Sequence, residues 1–155
     1  FYILCFEEHE NIIKKKINNS KINLIYKQNE KQKVLSESFL AIAASGSVTL
    51  ELAKYLTPMI VVYNTHFITK VIIKLFVKVK FASIVNIYFD KEVVPEFLFE
   101  DFNNAKVMKE IKNLIFNKEQ RSLQIKYLKK FSEKMQKKKN PSDLILDEIE
   151  RITKF

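Results

Sequence analysis

The stretch FLAIAASGSVTLELAKYLTPMIVVY, Phe39 to Tyr63, decides the fold. Phe39 to Ala44 is an apolar run of strand length. Ser45-Gly46-Ser47 is turn-forming, Val48 to Leu56 has helical character, and Pro58 to Tyr63 is a second apolar run. Two continuous apolar strands joined through a helix describe a parallel pair buried by helices, because an antiparallel sheet with one wet face would alternate apolar and polar residues.

The same grammar extends outward. FYILCF (Phe1 to Phe6) reads as a strand buried on both faces, with Cys5 as a small buried hydrophobe. EEHENIIKKKI follows with its acids first and its lysines last, as a helix dipole prefers. INLIY (Ile22 to Tyr26) is a further strand, EKQKVLSES a short polar helix, and residues from about Phe67 to Val77 another helix. The order βαβαβαβα predicts an α/β fold, a Rossmann-like parallel sheet with helices on both faces. From Asn103 the pattern is helical to the end, with a boundary at Pro141 and a capped amphipathic segment from Ser142 to Ile152. The expected organisation is a nucleotide-binding unit over residues 1–117 and a helical tail over 118–155.

Composition narrows the chemistry. The 155 residues include one glycine, which excludes phosphate loops, the dinucleotide fingerprint and the nucleophile elbow, all of which need at least two. Cys5, His9 and His66 fall short of a zinc ligand set, so neither a disulfide nor a structural metal is expected. At 47% hydrophobic residues the chain is predicted to fold, and its longest apolar runs are too short to span a membrane. Phe1 opens as a strand with nothing leading into it, which reads as a fragment, and the start lacks a secretory signal. The formal charge of +9 comes almost wholly from lysine, with only Arg121 and Arg151 beside it, in a chain rich in Ile, Asn and Phe. That bias reads as an AT-rich genome and weakens any argument from charge alone.

The lone glycine marks the candidate site. Ala44-Ser45-Gly46-Ser47 lies where a buried strand ends and a helix begins, the position of ligand crevices in open α/β sheets. A helix start offers amide donors to a phosphate, Gly46 permits close approach, and Ser45, Ser47 and Thr49 add hydroxyls. Glu51 cannot bind phosphate but can accept from a ribose diol. The same residues also fit a plain strand-to-helix turn with a serine N-cap, and spacing does not choose between the two.

Three ordered segments carry a resemblance: AIAASGSVTLELAKYLTPMIVVYNT, KLFVKVKFASIVNI and KEVVPEFLFED. Together they resemble the lipid-A-disaccharide synthases, inverting glycosyltransferases of the GT-B fold, from about Phe39 to Asp101. The family carries A-S-G-T-x-T-L-E, T-P-M-V-V-x-Y and a block ending in A-G-R-x-V-V-P-E. The resemblance implies the C-terminal, donor-binding half of such an enzyme. It implies that Ser45, Gly46 and Ser47 hold the diphosphate of a UDP-sugar, that Glu51 holds the ribose, and that Asn86 and Glu92 line the donor side. Glu92 also fits a residue opening a short helix, and Glu96 is similarly open.

Further implications are transfer of 2,3-diacylglucosamine from UDP to lipid X (2,3-diacylglucosamine 1-phosphate), no cofactor, and a catalytic base in the N-terminal domain of full-length members. A cytoplasmic enzyme is expected, with peripheral contact at the inner membrane surface as an option. Three departures stand out. The glycine of A-G-R is Asp90, unfavourable near a diphosphate; the glycine before T-P-M is Leu56, at a helix C-cap; and the P-G-S-R segment that precedes the first strand in the family is absent.

Lys70, Lys74 and Lys78 share one helix face, which fits either an anionic bilayer or a solvated stripe on a packed helix. The competing classes are a nucleic-acid binder, from the lysines between Lys126 and Lys139, and a helical interaction module. Neither accounts for the Ser-Gly turn, and the chain lacks arginines for base readout and any RNP-like aromatic strand.

Overall fold

Parallel pairing joins the strands among the described residues. The structure, a computed structural model, describes residues 1–17, 21–44, 46–63, 80–99 and 102–136. Strand β1 (Tyr2–Leu4) pairs with β2 (Asn23–Ile25), Tyr2 opposite Asn23. Strand β4 (Met59–Tyr63) lies between β3 (Ala41–Ala43) and β5 (Glu96–Leu98), with Ala43 opposite Val61 and Val61 opposite Glu96. All three pairings are parallel. Helices α1 (Glu10–Lys16), α2 (Gln28–Glu37) and α3 (Val48–Lys54) follow β1, β2 and β3 in turn. Helix α4 (Ile84–Phe89) precedes β5, and α5 (Asn104–Phe116) and α6 (Lys118–Gln136) follow it among the described residues. This is the α/β fold that the alternating pattern predicts.

Burial separates the two sheets. Met59, Ile60 and Val61 of the central strand β4 are fully buried, as their continuous apolar run requires. Strand β1 departs from the expectation: Phe1, Tyr2 and Phe6 are 86%, 58% and 73% exposed, and Cys5 is half-buried. Its only strand neighbour among the described residues is β2, so the FYILCF run lacks the two-sided cover that β4 receives from β3 and β5.

The core joins Leu35 of α2, Leu52 and Ala53 of α3, Met59 and Val61 of β4, and Val85 of α4 to Leu128 and Phe131 of α6. Helix α6 therefore packs into the same core as the strands. Asn103 caps α5, its side chain accepting from the amides of Ala105 (2.8 Å) and Lys106 (3.3 Å), at the boundary its sequence position indicates.

Two elements were not visible as patterns. Helix α4 spans six residues and β5 only three, one of them a glutamate. Glu92 opens no helix; residues 91–95 bend from the end of α4 into β5. The expected helix at about 67–77, with Lys70, Lys74 and Lys78, lies outside the described residues, as do His66, Ser45 and the tail beyond Gln136. Among the described residues no helix is long and apolar enough to cross a membrane.

Both glycine-to-side-chain departures lie at helix ends. Leu56 has φ 57° and Asp90 φ 45°. After α3, the amide of Leu56 donates to Ala53 O (3.1 Å) and that of Thr57 to Leu52 O (3.0 Å). After α4, the amide of Asp90 donates to Ile87 O (3.3 Å) and that of Lys91 to Asn86 O (3.2 Å). These are paired 5→2 and 6→1 bonds of two Schellman motifs, whose left-handed residue is usually glycine. Asp90 thus closes a helix, a position where the left-handed residue is usually glycine.

Candidate functional site

The turn after β3 carries most of the candidate residues. Gly46 has φ +130°, a conformation that side-chain-bearing residues rarely adopt, and a Cβ there would meet nothing within 4 Å. Glycine is required by the backbone path and not by crowding. The Gly46 carbonyl turns inward, accepting from the amide of Thr49 at 3.1 Å and from its hydroxyl at 2.7 Å. Among the described residues no backbone bond uses the amides of Gly46 or Ser47.

Thr49 is fully buried and its hydroxyl proton is committed to Gly46. The role this geometry supports is shaping the turn, and not donation to a ligand. Ser47 precedes α3 with αR angles (φ −60°, ψ −26°) and makes no side-chain capping bond. An N-cap serine reaches the helix amides from extended backbone, which Ser47 does not have. Its hydroxyl is left at an exposed turn.

Glu51 sits in the first turn of α3, its amide donating to Ser47 O at 3.2 Å. Its carboxylate oxygen Oε2 lies 3.3 Å from Lys31 Nζ, and its side chain is 39% exposed. The sequence did not flag Lys31, because its partner is on another helix and no spacing rule links them.

Asn86 belongs to a separate, buried network. It is fully buried and uses all four hydrogen-bonding positions of its amide. Nδ2 donates to Val94 O and to Glu96 Oε1, both at 2.7 Å, and Oδ1 accepts from the amides of Val93 and Val94, both at 2.8 Å. The Asn86 backbone N–H donates to Ser83 Oγ (3.2 Å), the N-cap of α4. Glu96 completes the cap, accepting from Ala82 N (2.7 Å) and Ser83 N (2.8 Å). Asn86 and Glu96 together bind α4, the 93–94 bend and β5 into one unit.

Glu92 is exposed, and its Oε1 accepts from the Glu96 amide at 3.4 Å, a long bond. It borders an open cleft of about 410 Å³ that Lys91, Tyr127, Leu114 and Gln124 also line. Lys91 Nζ donates to Tyr127 Oη at 3.2 Å, and that bond, with the nearby ammonium charge, holds the phenol below its ordinary pKa. Gln124 accepts from Met59 N (2.8 Å) and donates to Met59 O (3.1 Å) and Val93 O (3.2 Å). It does for the start of β4 what a neighbouring strand would do. Gln124 shares a helix face with Leu128 and Phe131 at i, i+4 and i+7, so a polar residue within an apolar stripe was its available signal.

The sheet register separates these groups. Ala43, Val61 and Glu96 are level across the three strands, so the Gly46 turn lies beyond the carboxyl ends. Val93 shares Gln124 with Met59, the first residue of β4, which puts Glu92 toward the amino ends. Gly46, Ser47, Thr49 and Glu51 come together; Glu92 is not brought to them. Ligands in parallel α/β sheets bind at the carboxyl ends, which favours the Gly46 turn.

Comparison with known proteins gives one consistent result. The family described as lipid-A-disaccharide synthetase matches residues 2–149. The chain is 35% identical over 132 residues to a lipid-A-disaccharide synthase of Rickettsia prowazekii, an overlap of 85% of this chain and 35% of that protein. A synthase of Rickettsia conorii is 35% identical over 116 residues, 75% of this chain and 26% of the relative. Lipid-A-disaccharide synthase 1 of Legionella pneumophila is 32% identical over 123 residues, 79% and 32% respectively. The chain thus spans about a third of the length of the curated relatives it matches.

Proposed function

The chain belongs to the lipid-A-disaccharide synthetase family, and on that premise we propose that it is the UDP-sugar-binding portion of a GT-B glycosyltransferase. The reaction is transfer of 2,3-diacylglucosamine from UDP to the 6-hydroxyl of 2,3-diacylglucosamine 1-phosphate. The acceptor oxygen forms a β-1,6 bond to the anomeric carbon, the bond to UDP breaks, and the configuration inverts.

The observation that carries this reading is the turn at the carboxyl end of β3. Gly46 holds φ +130°, the amides of Gly46 and Ser47 enter no backbone bond among the described residues, and Glu51 lies one turn further on. Amides at the start of a helix attract a departing diphosphate, whose negative charge grows as the glycosidic bond breaks. Ser45, Gly46 and Ser47 are assigned to the diphosphate and Glu51 to the ribose hydroxyls. Thr49 fixes the turn through Gly46 O. Asn86 acts through the α4 to β5 unit, its amide being fully engaged, and Glu92 is at most peripheral. Residues 1–117 form the nucleotide-binding unit, and the tail from 118 packs on it through Leu128 and Phe131.

The base that activates the acceptor is assigned to the part of the enzyme that this chain does not include. The chain alone is expected to bind UDP weakly and not to turn over. The whole enzyme is placed on the cytoplasmic side, where UDP-sugars are made, with acylated substrates drawn from the membrane surface. Calorimetric titration of UDP into the chain and into Glu51→Ala tests the reading. Weaker binding by the variant supports it; equal affinity removes Glu51 from the site.

A further inference from the structure

Glu51 is the proposed ribose ligand, and in the structure it already has a partner. We propose that Lys31 is a positioning residue of the nucleotide site, setting the Glu51 carboxylate in the orientation that accepts the ribose diol. The inference rests on the functional reading above and extends it to a residue that no motif contains.

The geometry supplies the reason. Lys31 lies in the first turn of α2, its amide donating to Lys27 O at 2.9 Å, and Glu51 lies in the first turn of α3. The pair therefore ties together two helix starts, each following a strand of a parallel pair. Lys14 and Glu10, by contrast, pair one turn apart on the same helix. Lys31 approaches Oε2 of Glu51 at 3.3 Å, with 28% of its side chain exposed. A carboxylate has two oxygens, so an ammonium on Oε2 leaves Oε1 to accept a hydroxyl.

Stability does not account for the pair. Both side chains are partly exposed, and ion pairs reached by water contribute little to folding because water screens them and two long side chains must be ordered. What the pair can do is restrict the rotamers of Glu51. A glutamate held before the ligand arrives spends less conformational entropy on binding, the general benefit of preorganisation.

The test compares UDP with its 2′-deoxy analogue on the full chain, as wild type, Lys31→Gln, Lys31→Arg and Glu51→Gln. Wild type is expected to prefer UDP. Lys31→Gln is expected to bind UDP about tenfold more weakly, the scale of one charge-assisted hydrogen bond, with the deoxy analogue unchanged. Lys31→Arg should restore the preference, and the melting temperature of Lys31→Gln should stay within about 2 °C of wild type. If Lys31→Gln keeps the full preference while Glu51→Gln loses it, the role of Lys31 is overturned and the site reading stands. If wild type binds both nucleotides equally or neither, the ribose assignment of Glu51 fails and takes this inference with it.

Discussion

Asn86 Nδ2 donates to Glu96 Oε1 at 2.7 Å, and that bond joins a helix to the strand after it through two side chains. Glu96 holds the amides of Ala82 and Ser83, just before α4, with the same carboxylate, while Asn86 holds the amides of Val93 and Val94. Short elements such as the six-residue α4 and three-residue β5 gain little from their own ladders. Side-chain bonds supply the missing order.

Removing Asn86 should therefore be costly. Asn86→Ala leaves the amides of Val93 and Val94 and the carbonyl of Val94 without their side-chain partner and takes one donor from Glu96, and is expected to destabilise by about 3 kcal/mol, the scale of unpaired buried polar groups. Asn86→Asp should cost at least as much, since it sets a second carboxylate against Glu96 and against Val94 O. Urea unfolding checks both: the midpoint should fall with the slope unchanged, and a loss below about 0.5 kcal/mol would contradict the network.

The Gln124 pairing gives a second expectation, with a pH signature. Gln124→Leu leaves Met59 N, Met59 O and Val93 O without their side-chain partner and should cost about 2–4 kcal/mol. Gln124→Glu can still accept from Met59 N, but it can donate to one of the two carbonyls only when protonated, because a carboxyl carries a single O–H. Its folded pKa is then raised, so its stability is greatest below the ordinary carboxylate range and falls as pH rises through the folded value. Denaturation midpoints at pH 4 and pH 8 test the sign, with wild type as the reference.

The two Schellman positions separate backbone strain from packing. Asp90 is exposed and left-handed, so Asp90→Gly should stabilise by about 1 kcal/mol by removing strain alone. Leu56 is equally left-handed but partly buried against the core, so Leu56→Gly relieves a similar strain and forfeits about 1.5 kcal/mol of burial. Its net effect should be close to zero. Thermal melts of the two variants should diverge, and equal shifts would mean that packing does not decide.

These helix ends also show what was legible in the sequence. The run from Phe39 to Tyr63 disclosed its strand, turn, helix and strand because each signal is local: continuous apolar residues, a glycine, a proline. Leu56 could be assigned to a helix end from its place before Thr57-Pro58. Asp90 could not, because α4 is too short for a periodic pattern. Asn86 and Glu92 entered only through the resemblance, and their separation from the Gly46 turn depends on register, which no linear spacing encodes. Lys31 and Gln124 act across distant segments, so composition and periodicity were blind to both.

Two tyrosines should titrate in opposite directions. Burial, and then its bond to Glu10, push Tyr26 up to about 12 from an ordinary value of 10.0. A phenol that holds its proton more tightly when folded stabilises the fold below pH 10 and loses that contribution as pH rises toward 12. Tyr127, held low by Lys91, is favoured as tyrosinate; its contribution is present above the ordinary value and is lost as pH falls through the lowered one. Tyrosinate absorbance should show Tyr127 ionising before Tyr26, and Tyr26→Phe should remove the late phase. Glu10, bonded to Lys14 and Tyr26, is held below its ordinary value, so its contribution fades only as acid takes pH below the carboxylate range.

The Gly46 turn permits a cleaner division between fold and ligand. A Cβ at Gly46 meets no neighbour, so Gly46→Ala pays no clash and costs only the positive φ, about 1–2 kcal/mol. The variant should remain folded. Relief of that strain rotates the peptide on either side, which redirects the Gly46 and Ser47 amides assigned to the diphosphate. UDP affinity should fall about tenfold or more, roughly the loss of one charge-assisted donor. Ser47→Ala supplies the contrast. Its hydroxyl makes no capping bond, so the melting temperature should hardly move, while any loss of UDP affinity reports a direct contact. If Gly46→Ala lowers stability as expected and leaves UDP binding intact, the turn is a structural one and the diphosphate must bind elsewhere.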